Sequence, residues 1–146
     1  MRLMRSAVLS SSLFSTLFLF TATHTDAQIT NEVEATISHS FIVGMKTLPP
    51  GKYTFRMQQG SSGSAMTVTS ADGKSSDMFM TRESQAPTTP AHTELVFRRY
   101  GDKEFLSKIY EGGNKLGVAV VGASKLEKQL MAQGQKATEH SEAAGE

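Results

Sequence analysis

Few residues in this chain could do metal or acid–base chemistry, and their spacing does not gather them. There are four histidines. His24 stands in an apolar leader and His140 in a polar tail, leaving His39 and His92. A zinc site normally wants three protein ligands, and neither an H-x-H nor an H-E-x-x-H spacing occurs. Cysteine is absent, which removes thiol nucleophiles, thiolate metal sites and disulfides together. Methionine is the more suggestive residue: Met45, Met57, Met66, Met78, Met80 and Met131 follow the leader, and Met78-Phe79-Met80 is an M-x-M. Thioethers are soft ligands that select Cu(I), making Met78 and Met80 the metal candidates. Against that, Met57, Met66, Met78 and Met80 fall where strand alternation asks for apolar side chains, and methionine fills irregular gaps well.

Nucleophilic and phosphate chemistry find no framework. No G-x-S-x-G is present, and Gly60-Ser61-Ser62-Gly63-Ser64 reads as a loop, not a strand-to-helix elbow. Gly112-Gly113-Asn114-Lys115 lacks the flanks of a phosphate-binding loop. Glu32 and Glu34 share one strand face and read as solvated carboxylates, not an acid–base pair. The expectation is a non-enzymatic protein with no cofactor. Its best functional surface is Arg98, Arg99, Tyr100, Lys108 and Tyr110, since tyrosine and arginine dominate binding hot spots. The competing expectation is a solvated strand face whose charges discourage edge pairing.

The elements that must carry these residues are strands. Val33, Ala35, Ile37, Phe41 and Val43 alternate with polar residues, the period-two pattern of a half-buried strand. His39 interrupts the apolar face, so this segment is either one bent strand or two. Pro49-Pro50-Gly51 suits a type II turn. Tyr53, Phe55 and Met57 then share a face, as do Met66 and Val68. Asp72-Gly73 predicts a tight hairpin, returning over Ser75 to Thr81. Arg82 to Ala91, with Pro87 and Pro90, reads as a loop. A second hairpin, Glu94–Tyr100 and Glu104–Tyr110, buries Leu95, Phe97 and Phe105, and Leu116–Val121 completes about seven antiparallel strands. Ser124 with Glu127 forms a capping box for a short helix in which Leu126 and Leu130 share a face. From Gly134 onward no bulky apolar residue occurs, so residues 134–146 read as a disordered tail. The fold class is all-β: one small sandwich or partly open barrel over residues 28–133, packed by the C-terminal helix.

The first 27 residues are laid out as a secretory signal peptide. Arg2 and Arg5 precede an uncharged run from Ala7 to Thr21, and Thr25-Asp26-Ala27 supplies small residues for cleavage after Ala27. The run is shorter than the roughly 20 residues of a spanning helix, so no membrane span is expected after cleavage, and location is secreted or periplasmic. The whole chain has 15 Lys+Arg and 14 Asp+Glu. Loss of Arg2, Arg5 and Asp26 leaves the remainder neutral, which argues against a nucleic-acid partner.

Two segments, FIVGMKTLPPGKYTF (Phe41 to Phe55) and ELVFRRYGDKEFLSKIYEGG (Glu94 to Gly113), carry a resemblance. With their L-P-x-G-x-Y and F-x-R-Y-G-x-x-x-F-L-S-x-I motifs, they resemble a group of small exported bacterial proteins, frequent in Acidobacteria, with no assigned function. The match runs in order from Val33 to Leu130 and departs where Glu111 follows Tyr110 in place of a tryptophan. It implies a shared fold and brings no catalytic residue. Leu48 to Phe55 alone is also similar to a turn of prealbumin-like sandwich modules, including carboxypeptidase regulatory-like domains, which are binding or spacer modules.

Together these readings give an exported β-domain with a binding or structural role, its partner an envelope protein or a small apolar ligand. The alternatives are a ligand carrier whose cavity is lined by Phe55, Met57, Met66, Met78 and Met80, and a copper site at Met78 and Met80. N-terminal sequencing of the exported protein should begin at Gln28; retention of residues 1–27 would overturn the cleavage reading.

Overall fold

A computed structural model describes residues 32–58 and 64–145. The leader, its cleavage point and most of the Gly/Ser loop lie outside the described residues. The first alternating segment divides into two strands, β1 (Glu32–Ile37) and β2 (Phe41–Val43), with the break at Ser38–Ser40. β3 (Lys46–Leu48) pairs back on β2. Gly51 does not take the positive φ of a type II turn and instead opens β4 (Gly51–Gln58). The Tyr53 hydroxyl donates to the Pro49 carbonyl at 2.5 Å, tying this corner to the strand.

β5 (Ser64–Ser70) and β6 (Ser76–Gln85) form the next hairpin. Its connection is wider than a two-residue turn. Asp72 accepts from the Ser70 hydroxyl at 2.6 Å and the Lys74 amide at 3.1 Å, and these bonds hold its carboxyl below the usual range. β6 also runs on through Arg82–Gln85, which the prolines had assigned to a loop, because these residues pair with β9 (Leu116–Val120). β7 (Glu94–Tyr100) and β8 (Lys103–Tyr110) form the second hairpin, with a register shift after Val96.

All the strands belong to one sheet, in the order β1-β4-β5-β6-β9-β8-β2-β3, with β7 joined to the other edge of β8. Among the described residues there are ten strands in place of about seven, hydrogen-bonded into one open sheet. The pairing is antiparallel except at Ile42 and Phe105, where β2 meets β8 in parallel. The tenth strand corrects the disordered tail: β10 (Thr138–Ala143) pairs antiparallel with β7 along its whole length. Lacking bulky apolar residues, this segment is held by backbone hydrogen bonds and ion pairs instead of its own hydrophobic burial. The sheet stays open: among the described residues, β1 meets the segment after β10 at one isolated bridge, Thr36 with Gly145.

Side chains from β1 through β9 enter a single core. Phe41, Tyr53, Phe55, Met66 and Phe97 are almost wholly buried within it. Phe41 packs edge-on to Tyr53 at 5.1 Å and to Phe97 at 6.1 Å, geometries that aromatic quadrupoles favour. The helix α1 (Lys125–Ala132) is capped as expected, with Ser124 Oγ accepting from the Glu127 amide at 3.1 Å. Its buried residue, however, is Glu127, while Leu126 is exposed and Leu130 rests on Ile42, Tyr100 and Phe105.

Gly117 marks a close approach between β9 and β8. A Cβ there would stand 2.8 Å from Tyr110 Cε1 and closer still to the Ile109 carbonyl. Gly117→Ala should therefore lower stability by about 1–3 kcal/mol through overpacking, read as a lower urea midpoint at unchanged slope.

Candidate functional site

The Arg/Tyr surface expected on the second hairpin is not a free face. Tyr100 and Tyr110 are both buried. Tyr100 lies under α1 with Ile42 and Phe105, its ring edge-on to Phe105 at 5.6 Å. Burial first, and the Glu127 carboxylate second, push its phenol above the ordinary range. Tyr110 packs with Ala86 and Val96 and shares a 2.9 Å hydrogen bond with Ser84. Lys108 is engaged by Glu139 of β10 at 2.7 Å. The cause is packing by segments outside the hairpin: α1 rests on Tyr100, the residues after β6 pack on Tyr110, and β10 extends the sheet beside β7.

The two arginines point to different places. Arg98 reaches Glu127 of α1, Nε to Oε1 at 3.0 Å and Nη2 to Oε2 at 3.3 Å. A carboxylate this deeply buried would be costly without a cation, so the pair fixes where α1 sits. Arg99 instead pairs with Glu104, its neighbour in the β7–β8 register.

Glu104 opens a second cluster that sequence reasoning missed. His140 Nε2 lies 3.7 Å from Glu104 Oε2 and 3.4 Å from Glu142 Oε1, and His39 Nδ1 lies 3.5 Å from the same Glu142 oxygen. Both imidazoles rest on Phe97, His39 edge-on at 5.0 Å and His140 stacked at 5.9 Å. His140 and Glu142 come from the tail that composition had read as disordered. The i, i+2 spacing of His140 and Glu142 was the available signal. The cluster joins β7, β8, β10 and the β1–β2 connection by charge and hydrogen-bonding groups. Among the described residues, no set of three or more His, Asp or Glu side chains is grouped to hold a metal ion. His92 stands apart on the exposed loop before β7.

The methionines divide between inside and outside. Met66 is fully buried and Met57 packs against the core, but Met78 and Met80 are 61% and 49% exposed. Phe79 between them takes the inward position. The five residues expected to line a ligand cavity therefore face opposite sides of the sheet. Phe55 and Met66 are used in core packing, which removes that lining as the basis for a carrier. The M-x-M pair does share one outer face of β6.

Among the described residues no helix is long and apolar enough to cross a membrane. Compared with protein-family models, curated proteins and solved structures, the chain matches none of them.

The Arg98–Glu127 pair gives a direct test of how α1 is held. Glu127→Ala strands the arginine and should cost about 2–4 kcal/mol, below a fully buried pair because Arg98 keeps 32% of its side chain exposed. Replacing both, as Arg98→Met with Glu127→Leu, should recover most of that loss in urea unfolding. No recovery would show that the charges, and not their packing volume, are required.

Proposed function

We propose that this protein is an exported, non-enzymatic binding domain of the cell envelope, acting through the outer methionine face of β6. The leader at residues 1–27 and the resemblance to small exported bacterial proteins supply the export and envelope parts of the reading. The observation that carries the binding part is apolar surface on the solvent side of a strand, the face that polar residues usually occupy. Met78 and Met80 project outward from β6, and the Val121 amide donates to the Met80 carbonyl at 2.8 Å, which brings exposed Val121 beside them.

Met45, 90% exposed, belongs to the turn between β2 and β3. That turn is fastened to the start of β6. Asp77 Oδ2 accepts from the Met45 amide at 3.3 Å, and Lys46 Nζ donates to the Ser76 carbonyl at 2.6 Å. Contiguous exposed apolar side chains mark interaction sites, and unbranched thioethers adapt to partners of varied shape. The core is packed without them, so their apolar character serves the surface.

Cu(I) binding is the second reading, favoured by two accessible thioethers on one strand face. Two pairs of substitutions separate the readings. Met78→Lys with Met80→Lys should leave the fold intact, because exposed positions away from structural contacts rarely shift stability by more than about 0.5 kcal/mol, and should release the protein from envelope fractions. Equal retention of this variant sinks the apolar-face reading. Met78→Leu with Met80→Leu keeps the apolar face but removes sulfur. It should retain envelope association, and unchanged Cu(I) affinity against a chromophoric chelator would dispose of copper.

A further inference from the structure

The sheet has an edge that the described residues do not complete. β1 pairs with β4 on one side, and on the other, among the described residues, Thr36 alone meets a partner, Gly145. From Glu32 to Ala35 the outer edge has no strand against it among the described residues. An unpaired edge presents backbone donors and acceptors ready for another strand. Beside it runs an open groove of about 440 Å³ whose lining includes Glu32, Val33, Glu34, Thr93 and Gly112. A second groove of about 830 Å³ adjoins it, sharing Glu34, Thr93 and Gly112 and extending to Ala143–Gly145. The far wall carries small residues at Ala91, Thr93, Gly112 and Ala143–Gly145, with His92 and the further carboxylate of Glu111 among them.

Charge selects the occupant. Glu32 and Glu34 project from the outer face, with side chains 44% and 57% exposed. Among the described residues each is paired on the β4 side, Glu32 with Arg56 at 2.6 Å and Glu34 with Lys52 at 2.7 Å. A carboxylate offers about four lone-pair sites, so one cation leaves it able to accept another. A strand added beside β1 would place its own outward side chains about 4.5–5.5 Å from these glutamates. Lysine or arginine there continues the ladder as cation, carboxylate, cation. A second copy of β1 in antiparallel pairing would set glutamate against glutamate, which is destabilising.

We propose that the free edge of β1 binds an extended, basic segment of a partner protein by strand addition, with Lys or Arg at alternate positions facing Glu32 and Glu34. Between those cations the partner carries modest apolar residues, turned toward the side of Val33 and Ala35. Backbone pairing supplies affinity and the alternating side chains supply specificity. This site is separate from the methionine face.

The test uses the purified full chain, isotope-labelled, titrated with the acetylated and amidated peptide Lys-Val-Lys-Val-Lys-Val. Amide shifts should centre on Glu32–Ala35, and hydrogen exchange there should slow. The matching Glu-Val peptide should not bind, nor should a Lys-Val peptide with alternate amides N-methylated. Glu32→Gln with Glu34→Gln should weaken binding about threefold to thirtyfold. Equal binding of the N-methylated peptide overturns strand addition, since charge alone would then suffice. Shifts centred elsewhere, or no binding of the Lys-Val peptide, overturn the site. Met78→Lys with Met80→Lys should bind the peptide as the parent does, so failure of the methionine-face reading leaves this result distinct. Loss of peptide binding in that variant overturns the placement at β1.

Discussion

Phe97 is the residue on which the arrangement depends. Its ring is fully buried in the common core and touches Phe41 from β2, His39 from the β1–β2 connection and His140 from β10. One sheet must bury one apolar face, and here residues from nine of its own strands meet in a single core. The sheet has to bend round its own side chains, bringing β1 and β4 within reach of β7 and β8. A large aromatic at the centre of β7 gives that bend something to close on. Filling such a position with a smaller residue would leave a cavity that the surrounding strands could only partly collapse.

Around this core, the outward surfaces are finished in three different ways. On the β7–β8 side, α1 packs over the strands and β10 extends the edge of β7, held by Arg98–Glu127, Lys108–Glu139 and the cluster about Glu104. On the β1–β4 side, exposed carboxylates and cations alternate across the strands. On β6, Met78 and Met80 stand uncovered among the described residues, apolar side chains on an outer face. Charged ladders keep a sheet soluble and oppose indiscriminate pairing, whereas an uncovered thioether surface does neither. This contrast gives β6 its functional interest and leaves the β1 edge selective for cationic strands.

Much of the fold was legible from local sequence. Period-two alternation placed Val33, Ala35, Ile37, Tyr53, Phe55, Met66 and Val68 on the buried face, where they lie. The Ser124–Glu127 spacing located the helix start. The candidate site was less legible. Arg98, Arg99, Tyr100, Lys108 and Tyr110 share a hairpin, but the burial of Tyr100 and Tyr110 depended largely on segments outside it. Met78 and Met80 were recognisable as a pair, yet alternation alone could not say which side of β6 faced the core. Phe79 decided that, because the larger aromatic took the inner position.

Sequence by itself therefore determined the β-rich character, the buried faces of β1, β4 and β5 and the absence of cysteine chemistry, since each follows from residue type or nearest-neighbour spacing. Tertiary structure alone decided that ten strands form one open sheet, that the polar tail becomes β10, and that Glu127 and not Leu126 is the buried side of α1. Those outcomes rest on partners distant in the chain. Thr138–Ala143 has no apolar residue large enough to announce a strand, and it is ordered by the unpaired edge of β7 together with Lys108, Glu104 and His39. Glu127 is buried because Arg98, 29 positions earlier, is there to meet it. Local pattern records what a segment can bury; only the assembled sheet settles what it is given to bury against.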